Sequence, residues 1–446
     1  MVDGEHYPPV IEGALDELRA RGHDIAGTVL AGGKEKLPSG GLDELAGTEL
    51  IVDDDPRVAL DRALVRFGPD AVMDLSDEPV LDYRKRHEFA AIALARGIAY
   101  EGSDFLFRPP PRPRLGKKPS IAIVATGKRT GKTAVSGSIA RALVDAGRHP
   151  VIVAMGRGGP PEPEVIRGDE MDIDASTLLE MADQGKHAAS DFIEDALLAG
   201  VPTVGCRRCG GGLAGAVDIS NVPAGVEIAN ELPGDILVFE GSGAAFPPLH
   251  ADVTVLVVPA SVPTEYVAGY LGPYRLLLAD FAVVTMSENP FGSPSQVSTL
   301  SSLIRNAFRI DRGEPPKEIE VVRTVFRPEP TKPVTDRQVF LATTAPEVVG
   351  DSLREHLEDR HKCRVVGISH ALSDRTRLEK DLAGLKEADT LLTEIKAAGI
   401  DVAARRALDE GLDVVFLDNV PIGVEDDDPR AMAVAAAELA EARFDA

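Results

Sequence analysis

Ala125-Thr126-Gly127-Lys128-Arg129-Thr130-Gly131-Lys132-Thr133, ATGKRTGKT, decides how this chain is read, because it joins an apolar run to a helical pattern. Ser120 to Ala125 (SIAIVA) is of strand type, and from Lys132 to about Ala146 the apolar residues recur at helical spacing. A strand that turns tightly into a helix aims several backbone N–H groups, and the positive end of the helix dipole, at one point. There Lys132 can reach the β- and γ-phosphates of a nucleotide while the Thr133 hydroxyl ligates Mg²⁺. The usual first glycine of such a loop is replaced by Thr126, so Gly127 and Gly131 supply the backbone freedom and the loop is a variant. Gly127, Lys128, Arg129, Thr130, Gly131, Lys132 and Thr133 are the expected phosphate-binding residues. Lys128 and Arg129 bring more charge than a nucleotide alone requires.

The 446 residues suffice for two or three domains, and 44% hydrophobic content is ordinary for a folded, soluble protein. A formal net charge of -24 argues against nucleic acid or an anionic membrane as the main partner, since both select for basic surfaces. No apolar run reaches membrane-span length, and the N-terminus lacks a signal-peptide core. Three cysteines cannot build a disulfide framework, so the expectation is a reducing cytoplasm.

Strands alternating with helices predict an α/β protein with mainly parallel sheet. Residues 1–107 read as an N-terminal α/β domain, with helices near Pro9–Arg21, Pro56–Arg66 and Leu81–Arg96 and strands near Gly27–Leu30 and Ala71–Leu75. Met1-Val2-Asp3 leaves almost no room for a first strand, so either this sheet lacks one or the true start lies upstream. Residues 108–118 include RPPPRPR, a stiff proline-rich linker. Residues 119–318 form the expected nucleotide-binding catalytic domain, with strands near Val151–Ala154, Asp235–Phe239, Val253–Val258 and Ala282–Met286. Residues 319–446 are a C-terminal α/β segment with strands near Val339–Ala342, Arg364–Val366 and Val414–Leu417, either a separate domain or an extension of the second sheet.

Ligands of open α/β sheets bind at the carboxyl ends of the strands. Glu240 follows the strand Asp235–Phe239 and is placed to hold Mg²⁺, directly or through water, alongside Thr133. Arg157, in MGRGGPP after the strand at Val151, would lie on the same edge and could bridge phosphates. In Gly205-Cys206-Arg207-Arg208-Cys209-Gly210-Gly211-Gly212, Arg207 and Arg208 with the amides of Gly210 and Gly211 make an anion site, the cysteines serving as small packing residues. The alternative is a metal held by the two cysteines, which needs a second pair across a dimer axis, and a homodimer is compatible with the sequence. Lys186 and His187 precede a helix that Ser190 or Asp191 would cap, and can face phosphate. Asn289, in SENP after a strand, is a candidate adenine contact. His370, Asp374, Arg375, Glu394 and Lys396 are polar groups near strand ends with no defined role.

Together ATGKRTGKT, GRGGPPEPEVIRGDE (Gly156–Glu170), GKHAASDFIEDAL (Gly185–Leu197), GCRRCGGG (Gly205–Gly212) and the opening DGEHYPP (Asp3–Pro9) resemble the cyclic 2,3-diphosphoglycerate synthetase family. VFRPEP (Val325–Pro330) and LATTAP (Leu341–Pro346) extend the likeness over nearly the whole chain. The middle domain is more distantly similar to dethiobiotin synthetase, which implies a P-loop NTPase-type parallel sheet. The resemblance implies an ATP- and Mg²⁺-dependent ligase that cyclises 2,3-diphosphoglycerate and releases ADP and phosphate. Lys132, Arg157 and Lys128 are the expected catalytic cations, and Arg157, Lys186, His187, Arg207, Arg208, Gly210 and Gly211 the substrate contacts. A 2-phosphoglycerate kinase would use the same site without ring closure. A nucleotide-dependent metal-delivery chaperone using Cys206 and Cys209 is the alternative of another kind. The family's apolar strand before Asp3 is missing from this sequence.

Overall fold

The computed structural model describes residues 1–36, 44–45, 47–171, 174–185, 190–306 and 318–446. The N-terminal unit contains α1 (Pro8–Ala20), β1 (Thr28–Val29), β2 (Glu44–Leu45), β3 (Thr48–Ile51), α2 (Pro56–Phe67), β4 (Ala71–Met73), α3 (Tyr83–Ala95), β5 (Ala99–Glu101) and β6 (Leu106–Phe107). Local chemistry sets the helix ends: the Asp55 carboxylate accepts from Arg57 N to start α2, Pro56 opens it, and left-handed Gly68 closes it.

Two small sheets, ordered β1-β3-β2 and β4-β5-β6, are bridged by the first residues of the chain. Val2 N donates to Val29 O at 2.9 Å and Ala31 N to Val2 O at 2.7 Å, while Leu75 N donates to Met1 O at 3.0 Å on the other side. Met1–Asp3 thus stands where a first strand would lie, joined by a single parallel bridge from Val2 to Leu30. Three residues suffice because both neighbours satisfy their backbone groups, and Val2 is buried between them.

The rest builds one large sheet. Its first part comprises β7 (Ser120–Ala125), α4 (Lys132–Asp145), β8 (Pro150–Gly156), β9 (Glu164–Arg167), α5 (Ala175–Asp183), α6 (Asp191–Ala199), β10 (Pro202–Cys209), β11 (Ile219–Ser220), α7 (Val222–Glu231), β12 (Ile236–Glu240), β13 (Val253–Pro259), α8 (Glu265–Ala268), α9 (Gly272–Leu278), β14 (Phe281–Thr285) and α10 (Pro294–Asn306). The second part comprises β15 (Glu320–Pro330), β16 (Gln338–Ala342), α11 (Gly350–His361), β17 (Arg364–Ser369), α12 (Arg375–Asp381), β18 (Thr390–Glu394), α13 (Arg405–Asp409), β19 (Asp413–Gly423) and α14 (Pro429–Phe444). The strand order is β11-β10-β8-β12-β7-β13-β14-β15-β19-β18-β16-β17.

From β10 to β14 the neighbours are parallel and their residues apolar on both faces, as a sheet covered on both sides requires. Leu237 and Phe239 of β12 enter one core, Ile236 and Val238 the other. The third segment extends this sheet through β15. That strand pairs with β14 over Glu320–Arg323, then with β19 over Thr324–Pro330. Pro328 and Pro330 are tolerated because the strand has only one neighbour there. Those same prolines hid β15 from a sequence reading. The proline-rich segment before β7 is extended and docked: His250 N donates to Pro113 O and Asn230 Nδ2 to Leu115 O.

Val2→Asp should unlock the N-terminal unit, because an unpaired carboxylate there costs more than about 2 kcal/mol. Limited proteolysis should cut the variant within residues 1–107 while nucleotide binding persists. Parent-like protection would show that the Met1–Asp3 segment does not hold the two sheets together.

Candidate active site

The loop after β7 meets its expected surroundings. Arg129 and Gly131 adopt positive φ (57° and 81°), which aims the loop amides inward, and the Thr285 hydroxyl fixes it by donating to Thr130 O at 2.7 Å. A Cβ on Gly131 would lie 2.1 Å from the Phe326 ring, so β15 packs directly on the loop. Only glycine allows both the backbone angle and this approach.

Lys132 is buried, and its Nζ donates to the Glu240 carboxylate at the end of β12. Burial alone would raise the Glu240 pKa, but the Lys132 ammonium, Asp195 and the Thr133 hydroxyl outweigh it and hold the carboxyl below its ordinary value. Glu240 and Thr133 therefore present adjacent hard oxygens, the donor type that suits Mg²⁺.

Helix α6 adds carboxyl groups that the sequence reading missed. Asp191, Glu194 and Asp195 lie at positions that share one helix face. No N–H or O–H of the described residues donates to either Asp195 oxygen, and its carboxyl lies within hydrogen-bond reach of Glu240. Burial, then the Glu240 charge, pushes the Asp195 pKa well up, so Asp195 carries the proton between the two groups. Desolvation, followed by the Glu240 charge, likewise raises Asp191. Glu194 is pushed up to about 7 by burial despite Lys396, whose Nζ lies 2.8 Å away. Lys396 comes from the third segment, so that segment completes the site. Two acids inside the otherwise apolar stretch FIEDALLA were the available signal. Ser190 occupies the N-cap position, but its hydroxyl makes no capping bond.

A second group of cations gathers at Gly243, in the turn after β12 (φ 58°). A Cβ there would lie 3.0 Å from Arg157 Nη2, 3.7 Å from Lys128 Cγ and 3.8 Å from Arg208 Nη2. Arg208 is positioned by backbone carbonyls, donating to Ser242 O at 2.8 Å and Gly210 O at 3.0 Å. Its Nε is buried without a partner, and desolvation with the nearby Arg157 lowers its pKa. Most other arginines are matched to acids, as in Arg96–Asp61, Arg148–Glu441 and Arg327–Glu288. Among the described residues, Lys128, Arg129, Arg157, Arg207 and Arg208 form no ion pair with a carboxylate.

Arg207 and Arg208 are consecutive on β10, so the pleat sends them to opposite faces. Arg208 joins the cluster, whereas Arg207 is exposed, its N–H donating to Asn221 Oδ1 at 2.7 Å. Gly210 (φ 76°) and Gly211 follow the strand, and a Cβ on Gly211 would lie 3.3 Å from Arg208 Nη1. Cys206 is buried, with its pKa pushed up to about 12 by that burial, and Cys209 is exposed. A Cβ on Gly225 would lie 2.2 Å from Cys206 Sγ, so this cysteine packs on α7. Asn289 is exposed in the loop after β14, on the sheet edge that carries the phosphate loop. Lys186 and His187 lie outside the described residues. In the third segment, Glu394 accepts from the Thr344 hydroxyl at 2.6 Å, Asp374 caps α12, and Arg375 pairs with Asp401.

Family models named for the N-terminal, P-loop and C-terminal domains of cyclic 2,3-diphosphoglycerate synthetase match residues 1–108, 120–312 and 330–420. A cyclic 2,3-diphosphoglycerate synthetase of Rubrobacter xylanophilus is 47% identical over 423 residues, covering 95% of this chain and 93% of its own. One from Methanothermobacter thermautotrophicus is 43% identical over 431 residues, covering 95% and 91%. Among solved structures, LpxK from Aquifex aeolicus in complex with ATP superposes with a TM-score of 0.39 at 14% identity, over 75% of this chain and 90% of that one.

Asp195→Asn should change how stability depends on pH. A raised native pKa means that the native state binds the proton more tightly, so the parent loses stability as pH climbs from about 3.9, the unfolded value. Asparagine cannot ionise and can still donate to Glu240. Urea midpoints from pH 4 to 8 should fall with pH more in the parent than in the variant, which should be the more stable at neutral pH. Parallel profiles would mean that Asp195 carries no trapped proton.

Proposed function

The chain belongs to the cyclic 2,3-diphosphoglycerate synthetase family, and from that premise we propose that it closes the two phosphates of 2,3-diphosphoglycerate into a ring while converting ATP to ADP and phosphate. The observation that carries this reading is that Lys128, Arg157 and Arg208, cations without carboxylate partners, converge on Gly243 beside the phosphate loop. Two phosphate monoesters of about −1.5 to −2 each and a carboxylate must be brought to an anionic nucleotide. An ordinary kinase acceptor would not demand so much unpaired positive charge.

Lys132 and the loop amides hold the β- and γ-phosphates, and Asn289 contacts the base. Thr133 and Glu240 would hold Mg²⁺, which supplies charge neutralisation across those phosphates. Lys128 and Arg157, between the two anion sites, hold the transferring phosphoryl group against the acceptor phosphate. Arg208, with the amides of Gly210 and Gly211, anchors the diphosphoglycerate, and Arg207, on the other face of the strand, has at most a lesser share. In the first step an oxygen of one substrate phosphate attacks the γ-phosphorus, the bond to the ADP oxygen breaks, and a pyrophosphoryl ester forms. In the second an oxygen of the other phosphate attacks the inner phosphorus of that ester. The bridging bond breaks, inorganic phosphate leaves with the electron pair, and the ring closes. Both steps ask mainly for positioning and charge stabilisation, and no protein nucleophile is needed.

We assign the nucleotide chemistry to residues 119–318 and a supporting role to residues 319–446, through Phe326 and Lys396. A cytoplasmic location accords with three cysteines that form no disulfide. No helix of the described residues is long and apolar enough to cross a membrane. The opposite environments of Cys206 and Cys209 give the metal-delivery reading no ligand pair.

Incubation with ATP, Mg²⁺ and 2,3-diphosphoglycerate, followed by phosphorus NMR, should show the cyclic product with ADP and phosphate in equal amounts. Formation of ADP without free phosphate would point to simple phosphorylation instead. Lys132→Ala should abolish turnover in a folded protein, and unchanged activity would remove the loop from the mechanism. Arg208→Ala should lower kcat/KM for diphosphoglycerate at least about tenfold, the equivalent of one charge-assisted hydrogen bond. Arg207→Ala, facing away from the cluster, should be milder. The reverse ranking would overturn this placement of the substrate.

A further inference from the structure

Away from the phosphate site, Glu329 near the end of β15 faces His356 and His361 on α11. Glu329 Oε1 lies 3.3 Å from His356 Nε2, Glu329 Oε2 lies 3.2 Å from His361 Nε2, and one ligand atom from each residue lies within 4.8 Å of the others. Bonds of about 2.0–2.1 Å from a tetrahedral ion to nitrogen and oxygen put neighbouring donors about 3.3 Å apart. Each imidazole lies near that distance from a different oxygen of the Glu329 carboxylate.

These contacts are poor hydrogen bonds. His361 Nε2 is buried and lacks a hydrogen-bond partner despite its proximity to Glu329, so this nitrogen is out of line for donation. The contact to His356 is long for a hydrogen bond. Arg360 Nε lies 3.1 Å from Glu329 Oε1 and would orient the carboxylate from outside the coordination shell. Three protein ligands leave a tetrahedral ion one further position for water.

We propose that Glu329, His356 and His361 form a binding site for Zn²⁺ or a similar d-block dication, separate from the Mg²⁺ ligands Thr133 and Glu240. Two imidazoles and one carboxylate with an open position suit such an ion better than Mg²⁺, which prefers oxygen. The ligands come from β15 and α11, so the ion clamps that helix onto the strand that carries Phe326 against Gly131. The site is a positioning device for the third segment and takes no part in the phosphoryl chemistry.

The full chain, stripped with chelator and dialysed against Zn²⁺ or Co²⁺ without nucleotide, should take up about one equivalent. The Co²⁺ form should show the intense visible d–d bands of a low-coordinate ion and no thiolate charge-transfer band. Zn²⁺ should raise the unfolding midpoint of the parent. His356→Gln and His361→Gln should each weaken binding at least about a hundredfold, more than loss of an outer-shell partner costs, while Cys209→Ser should bind as the parent does. Uptake below about a tenth of an equivalent by the folded parent would overturn the site, as would equal uptake by parent and histidine variants or a Co²⁺–thiolate band. Should either variant fail to fold, stoichiometry and the Co²⁺ spectrum of the parent decide the question.

Discussion

A buried ammonium, that of Lys132, is the constraint around which this protein is organised. A lone charge with so little access to water would cost several kcal/mol, and proteins avoid it by pairing or neutralisation. Here the partner is Glu240, which in turn requires Asp195 to keep its proton, since two adjacent buried carboxylates cannot both ionise. The arrangement therefore fixes three elements at once: the start of α4, the end of β12 and the inner face of α6. It also suits a nucleotide-binding domain, because it holds a positive charge at the start of α4, next to the Thr133 hydroxyl.

The third segment is held to this centre by the offset of β15. Its first four residues complete the parallel sheet beside β14, and its remaining length pairs with β19. That handover places Phe326 over Gly131 and lets the loop after β18 deliver Lys396 to Glu194. Arg141 on α4 reaches Asp418 on β19 at 2.6 Å, and Arg148 at the end of the same helix pairs with Glu441 on α14. The small residues Ala433, Ala436, Ala437 and Ala440 let α14 lie close against this side of the sheet. A change in the position of β15 would therefore be felt at the phosphate loop through packing, without any contact to the ligand.

The parts of the architecture that local chemistry determines were legible in the sequence. The apolar runs at Ser120, Val151, Asp235, Val253 and Ala282 are buried on both faces and became strands, and the Gly-Lys-Thr turn became a helix start. What escaped was set by tertiary context. Strand β15 carries two prolines that only a one-sided strand tolerates, and Met1–Asp3 forms a bridge too short to leave a periodic signal. In the CRRC segment the two arginines read as one anion site, but a strand's two-residue period separates them and leaves Arg208 alone in the cluster. Asp191 read only as a candidate helix cap, and Glu194 and Asp195 drew no reading at all. Their role depends on which face of α6 packs on β8 and β10 and turns Asp195 toward Glu240, and no local spacing reveals that.

The chain carries 72 acidic against 48 basic Lys and Arg residues, so its surface as a whole repels a polyanion. Attraction must then be local, and screening at physiological salt confines it to about 8 Å. Backbone placement resolves this conflict better than ion pairing would. A carboxylate partner would position a guanidinium but cancel its charge, whereas the carbonyls of Ser242 and Gly210 hold Arg208 and leave its positive charge intact for a phosphate. The positive φ at Gly243 then matters for a reason beyond the turn, because the missing side chain leaves room for Arg157, Lys128 and Arg208 to approach one point. Arg157 and Arg208 repel one another there, and the Arg208 pKa is lowered first by burial and then by that neighbouring charge. Cations held together without their counter-ions are the arrangement on which the proposed preference for highly charged anions rests.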